Sequence, residues 1–164
     1  MTATTTELQS TSGLVLHPGE GRTLSLLGAT IGAKVTGADT DGAWSLVEYT
    51  APPHFAGPAP HGHRQTDEAF YILEGTPTFQ LGEDTMTVEP GAFVFVPRGV
   101  VHTFRNSADV PARFLIFFSP AGFEGYWDEL AELAHAEKKW PPSDVLRLIA
   151  LGEKYDSFAP QATA

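Results

Sequence analysis

The chain has 164 residues, 42% hydrophobic and 18% charged, with a formal net charge of −10 and no cysteine. That length suits one domain with a real core, and no apolar run approaches the length of a membrane span. Ten Lys and Arg against twenty Asp and Glu leave no basic patch for phosphate, which argues against nucleic acid as a partner. Without thiols, any metal must take nitrogen and oxygen ligands.

Residues 1–12 are polar and Thr-rich, with neither the basic nor the apolar region of a signal peptide. A disordered tail and a cytoplasmic protein are expected. From Thr23 the pattern is strand-like, through Leu24 and Leu26 and then Ile31, Ala33 and Val35 in alternation. Residues 37–42 form a turn by composition. Trp44 to Thr50 alternates again. The next ten residues carry Pro52, Pro53, Pro58 and Pro60, which forbid a regular helix or a central strand. They read as a loop leading into His61-Gly62-His63.

Short strands follow at 68–73, 78–81, 85–88, 92–96, 102–105 and 113–118, separated by Gly, Pro, Asn and Asp turns. Such spacing points to an antiparallel barrel or sandwich. Phe93 to Val96 and Phe114 to Phe118 are apolar on both faces. One face would line the barrel, and the other would need a second sheet, a helix or another subunit. After Ser119-Pro120 the period changes. Phe123, Tyr126, Trp127, Leu130 and Leu133 mark an amphipathic helix, with Ser119 as its expected N-cap and Pro120 in its first turn. Pro141-Pro142 is expected to stop it, and Ser143 to cap a second helix. The expected division is a tail over 1–12, a β-barrel over 13–120, a helical appendix over 121–158 and a tail over 159–164.

His61 and His63 share one side of a strand, about 6–7 Å apart along the backbone, and can converge on one ion. Glu68 lies an odd number of residues beyond His63 and would face the wrong way on a straight strand. Arg64 to Asp67 must therefore bend or bulge the chain. After that bend Glu68, Phe70 and Ile72 share a face. His102, behind the turn at Pro97 and Gly99, shares its face with Phe104.

These stretches resemble the two signature motifs of the cupin superfamily. His61, His63, Glu68 and Gly75 fit the first motif, although its leading glycine position falls on Phe55 and the nearest glycine is Gly57. Gly91, Pro97, Gly99, His102 and Asn106 fill every position of the second. The flanking strands and the segment 118–124 resemble small single-domain cupins similar to bacterial quercetin 2,3-dioxygenases. The resemblance implies an all-β jelly-roll barrel (a double-stranded β-helix) with C-terminal helices. It also implies one divalent transition metal ion held by His61, His63, Glu68 and His102, with Ni, Mn, Fe, Co, Cu and Zn all compatible. Glu68 would be ligand and general base together. Phe70 and Phe104 are the expected substrate contacts, because each shares a face with a ligand. The implied reaction is dioxygenation of a flavonol-like or other aromatic enol with O₂. The alternatives are a non-oxidative cyclase, isomerase or lyase, and a module that binds a small molecule without turnover. His54 could edge the pocket, while Arg64 and Gln65 read as solvated bend residues. A homodimer is expected from the two-faced apolar strands and the aromatic helix.

Overall fold

The computed structural model describes residues 13–137 and 139–160. The tail expected over 1–12 and the end of the one expected over 159–164 lie outside them. Six antiparallel strands form the larger sheet: β1 (Arg22–Leu26), β2 (Ala29–Val35), β3 (Ser45–Ala51), β5 (Asp67–Glu74), β8 (Phe93–Val96) and β10 (Ala112–Ser119), in the order β1-β2-β3-β10-β5-β8. A smaller sheet has the order β7-β6-β9, from β6 (Thr78–Leu81), β7 (Asp84–Thr87) and β9 (His102–Arg105). A short pair, β4 (Gly62–His63) with β11 (Ser157–Phe158), completes the strands. Bridges between His61 and His102 and between Phe55 and Asn106 join the histidine loop to β9.

Alternation decides which side chains face inward. Along β3, Ser45, Val47, Tyr49 and Ala51 are buried while the residues between them are half-exposed. β10 repeats the pattern with Phe114, Ile116 and Phe118 inside. The interior is an aromatic cluster: Phe70 lies 4.9 Å from Phe79, and Phe104 lies 5.1 Å from Phe114 between ring centroids. Each such side chain contributes roughly 1.5–3 kcal/mol when taken out of water. On the outer face Arg113 pairs with Glu48 and Glu74 across neighbouring strands. Among the described residues, the second face of the apolar strands is not fully covered. Phe93, Phe95 and Tyr71 are 66%, 52% and 46% exposed.

Two helices follow the barrel: α1 (Glu124–Ala136) and α2 (Val145–Lys154). α1 buries Trp127, Leu130 and Leu133, the face its periodicity predicts. Its start differs from expectation. Ser119 still pairs with Asp67 as the last residue of β10, and its hydroxyl donates to Ala43 O at 3.1 Å. Strand pairing therefore outlasts the Ser-Pro signal, and the N-cap falls on Phe123 with no side-chain cap bond. Helix α1 also ends at Ala136, short of Pro141-Pro142. Asp144, not Ser143, caps α2, accepting from Leu146 N at 3.2 Å. The appendix expected over 121–158 is not purely helical, since Ser157 and Phe158 form β11 against the histidine strand. No helix among the described residues is long and apolar enough to cross a membrane.

Candidate metal centre

His61, His63, Glu68 and His102 come together as the sequence spacing predicts. Each offers one ligand atom, and these four atoms lie within 4.8 Å of one another. The backbone holds His61 and His102 side by side: His61 N donates to His102 O at 3.0 Å, and His102 N to His61 O at 2.7 Å. His63 enters from β4 and Glu68 from the start of β5. His63, Glu68 and His102 are buried, and His61 is half-buried.

The ring tautomers follow from the neighbours. His61 Nδ1 lies 2.9 Å from Ala59 O, and His102 Nδ1 lies 3.1 Å from Val100 O. A carbonyl only accepts, so both rings carry their proton on Nδ1 and leave an Nε2 lone pair free. Glu68 Oε2 stands 2.7 Å from His102 Nε2 and 3.3 Å from His63 Nε2. These approaches lie off the direction a hydrogen bond requires. His63 Nδ1 and Nε2, His102 Nε2 and Glu68 Oε2 are all buried without a hydrogen-bond partner. Buried polar atoms are rarely left so. One nitrogen from each histidine and a Glu68 oxygen, close together with no donor between them, are an arrangement a cation resolves. Three imidazole nitrogens and a carboxylate oxygen are usual donors for a first-row divalent ion, and the residues present fit one.

Protonation supports the same fit at His61 and Glu68. Burial acts to raise the Glu68 pKa, but His102 and His63 beside it outweigh burial and hold it down at about 2. Burial first, and then His102, lower His61 to about 4. His61 and Glu68 are therefore in their ligating forms at neutral pH. Burial also opposes the charge on His102, yet the Glu68 carboxylate outweighs it and raises the pKa.

The bend that parity demands lies between β4 and β5, over residues 64–66. Asp67 closes it on one side, accepting from Arg98 N at 2.9 Å and from Arg98 Nη2 at 2.6 Å. Asp156 closes it on the other, more than 80 residues along the chain, accepting from Gln65 N and Thr66 N at 2.9 Å each. Sequence reasoning missed Asp156. A lone Asp beyond a fading helix carries no periodic or motif signal. Arg64 and Gln65 are thus held by the C-terminal segment. His54 pairs with Asp109 at 3.0 Å on the surface and does not line the cavity described next.

His61 and Glu68 reach the wall of a cavity of about 540 Å³ between the barrel and the helices. Tyr49, Phe55, Phe104, Phe123, Trp127 and Trp140 supply most of its aromatic wall. The size is that of a small-molecule site. Phe104 lines it. Phe70 is fully buried behind it, 5.9 Å from both Phe104 and Phe114. Sharing a face with Glu68 places Phe70 inward, but two residues further along β5 the barrel is already closed. Near the leading glycine position of the first motif, Gly57 has φ +84, and a Cβ there would stand 1.6 Å from Phe104 O, so the close approach of loop to strand needs glycine at 57.

A barrel of this topology is a cupin fold, and the three histidines and glutamate inside it could hold a metal ion. Residues 47–118, somewhat under half of the chain, match the family model described as Cupin domain. The structure of KdgF from Halomonas sp. is similar at a TM-score of 0.61 and 16% identity, covering 70% of this chain and 99% of that one. The polyketide cyclase RemF from Streptomyces resistomycificus is similar at 0.59 and 23% identity, covering 66% and 80%. At these identities the likeness establishes the fold. In sequence, the tetracenomycin polyketide synthase protein TcmJ of Streptomyces glaucescens is 32% identical over 60 residues, covering 37% of this chain and 40% of that protein. The chain spans between 40% and 64% of the length of the curated relatives it matches.

Proposed function

We propose that this cupin is a metal-dependent dioxygenase acting on a flat aromatic enol, of the flavonol type or similar. One observation carries the reading: the four-ligand cluster opens, through His61 and Glu68, onto an apolar cavity walled by aromatic rings. A divalent transition metal held by His61, His63, Glu68 and His102 would supply Lewis-acid stabilisation of a substrate oxyanion and, if redox-active, a route for electrons to O₂. The protein's own groups do the rest. Tyr49, Phe55, Phe104 and Trp127 offer faces and edges for a planar ring system and keep water from it. That packing sets the enol hydroxyl toward Glu68. The Glu68 carboxylate, ionised at neutral pH, accepts the enol proton. His61 and His102 carry their own protons on Nδ1, bonded to Ala59 O and Val100 O, and their Nε2 lone pairs would be taken up by the metal, so neither competes for that role.

The test uses quercetin as probe with protein loaded separately with Ni²⁺, Mn²⁺, Fe²⁺ and Co²⁺. Oxygen uptake matching substrate loss, with both atoms of ¹⁸O₂ in the product, is expected for at least one metal. Conversion of the probe or of a related enol without oxygen uptake overturns the dioxygenase reading. A second reading, non-oxidative cyclisation of an aromatic polyketide, is supported by the likeness to TcmJ and RemF. It predicts a product formed equally well under argon and with Zn²⁺ in the site.

A further inference from the structure

The segment that follows α2 reaches back to the loop between the ligands. Asp156 Oδ2 accepts from Gln65 N, Thr66 N and Thr66 Oγ1, each at 2.9 Å. The Asp156 carbonyl accepts from Arg64 N at 3.2 Å. Arg64 Nη1 donates to Ser157 O at 3.3 Å, and its guanidinium stands 5.3 Å from the Phe158 ring centroid. Ser157 pairs with His63 and Phe158 with Gly62. Every residue from Gly62 to Thr66 is therefore in contact with residues 156–158. Those five residues are the ones that decide whether Glu68 faces His61 and His63.

We propose that Asp156 is a positioning residue for the metal centre. Its carboxylate gathers two backbone N–H groups and one hydroxyl on the inside of the bend, and so holds the half-turn that brings Glu68 onto the histidine face. Without that acceptor the two N–H groups lose their partner, and the bend has no reason to keep one shape. Asp156 itself adopts φ 64, a left-handed conformation that Asp and Asn tolerate better than other side chains. The same segment walls the cavity through Ser157 and Phe158. Ligand geometry and cavity wall thus share one support. This inference rests on the metal-centre reading and is independent of the reaction.

Co²⁺ is the probe, titrated into metal-free protein against a competing chelator and followed by its visible absorption. Asp156→Gly removes the carboxylate without strain at a positive φ. It is expected to lower Co²⁺ affinity about 10–100-fold, the usual cost of losing a group that orients ligands, and to shift the absorption bands. Asp156→Asn keeps an acceptor oxygen and is expected to restore the wild-type bands and most of the affinity. Thr66→Val removes only the hydroxyl bond and is expected to cause a several-fold loss with a band shift of the same sense. It carries the test if Asp156→Gly does not fold. Phe79→Leu, a core change away from the cavity, is the control for stability alone and is expected to lower Tm with unchanged bands. Wild-type affinity and bands in Asp156→Gly, or in Thr66→Val where that variant stands in, overturn the inference and leave the metal centre intact. So does a loss that Phe79→Leu reproduces at equal Tm. No Co²⁺ binding by the wild type overturns both.

Discussion

Asn106 is the residue on which the loop that carries the histidines is hung. Its side chain is fully buried, and its Nδ2 donates to Pro52 O at 2.9 Å and to Val110 O at 2.8 Å. Its Oδ1 accepts from Ala108 N at 3.2 Å, while a fourth approach, to Ala51 O at 3.4 Å, is too long to count for much. One amide thus ties the start of the proline loop to the turn between β9 and β10. Asn106→Ala removes three sound hydrogen bonds and leaves their backbone partners unpaired. At about 1 kcal/mol net for each, the loss is about 3 kcal/mol. For a chain of this length each kcal/mol moves Tm by roughly 2–4 °C, so a fall of about 6–12 °C is expected. Calorimetry on metal-free protein is the assay, because a bound ion would add its own stabilisation. A fall smaller than about 2 °C would refute the reasoning. It would mean that the carbonyls find water or other donors once the amide is gone.

Glu68→Gln preserves shape but removes the base, and activity is expected to fall about 10²–10⁴-fold while much of the metal stays bound. Full turnover in a metal-loaded Glu68→Gln sample, checked by elemental analysis, rules out the proton-accepting role. His102→Ala removes a buried ligand on the strand that anchors His61, and metal affinity is expected to fall by at least about tenfold. Retention of wild-type metal content after dialysis contradicts the assigned ligand set. Metal affinity is also expected to depend on pH. A proton on His102 blocks its lone pair, and because Glu68 raises the His102 pKa above its ordinary value, protons already compete above pH 6.5. Affinity should therefore fall by up to about tenfold per pH unit as pH drops below that point. His61, held at about 4, adds nothing until much lower pH. An affinity that is flat between pH 5 and 6.5 contradicts this. The exposed Tyr71, Phe93 and Phe95 on one sheet face fit a contact with a second copy of the chain. Sedimentation is expected to show a dimer that Phe95→Glu converts to monomer, and a monomeric wild type rejects the idea.

Much of the architecture is legible in the sequence because period two persists along strands such as β3 and β10. The runs at 78–81 and 102–105 coincide with β6 and β9 to the residue, and the α1 stripe is the buried one. Parity alone shows that the chain must bend between His63 and Glu68. Element ends were harder to read. Ser119-Pro120 looks like a helix start, but pairing with Asp67 keeps Ser119 in the sheet. A cross-strand partner is invisible to a local signal.

What the sequence by itself determined is the list of candidate ligands, the barrel and the need for a bend. All three follow from residue types at short spacings, where backbone geometry alone relates the positions. Tertiary structure decided what holds the bend and what faces the cavity. Asp156 meets Gln65 and Thr66 across some 90 residues of chain. Phe70 and Phe104 each share a face with a ligand, yet only Phe104 lines the cavity. Depth along a barrel and contact across such a separation depend on how the sheets close, and no spacing within a single strand encodes either.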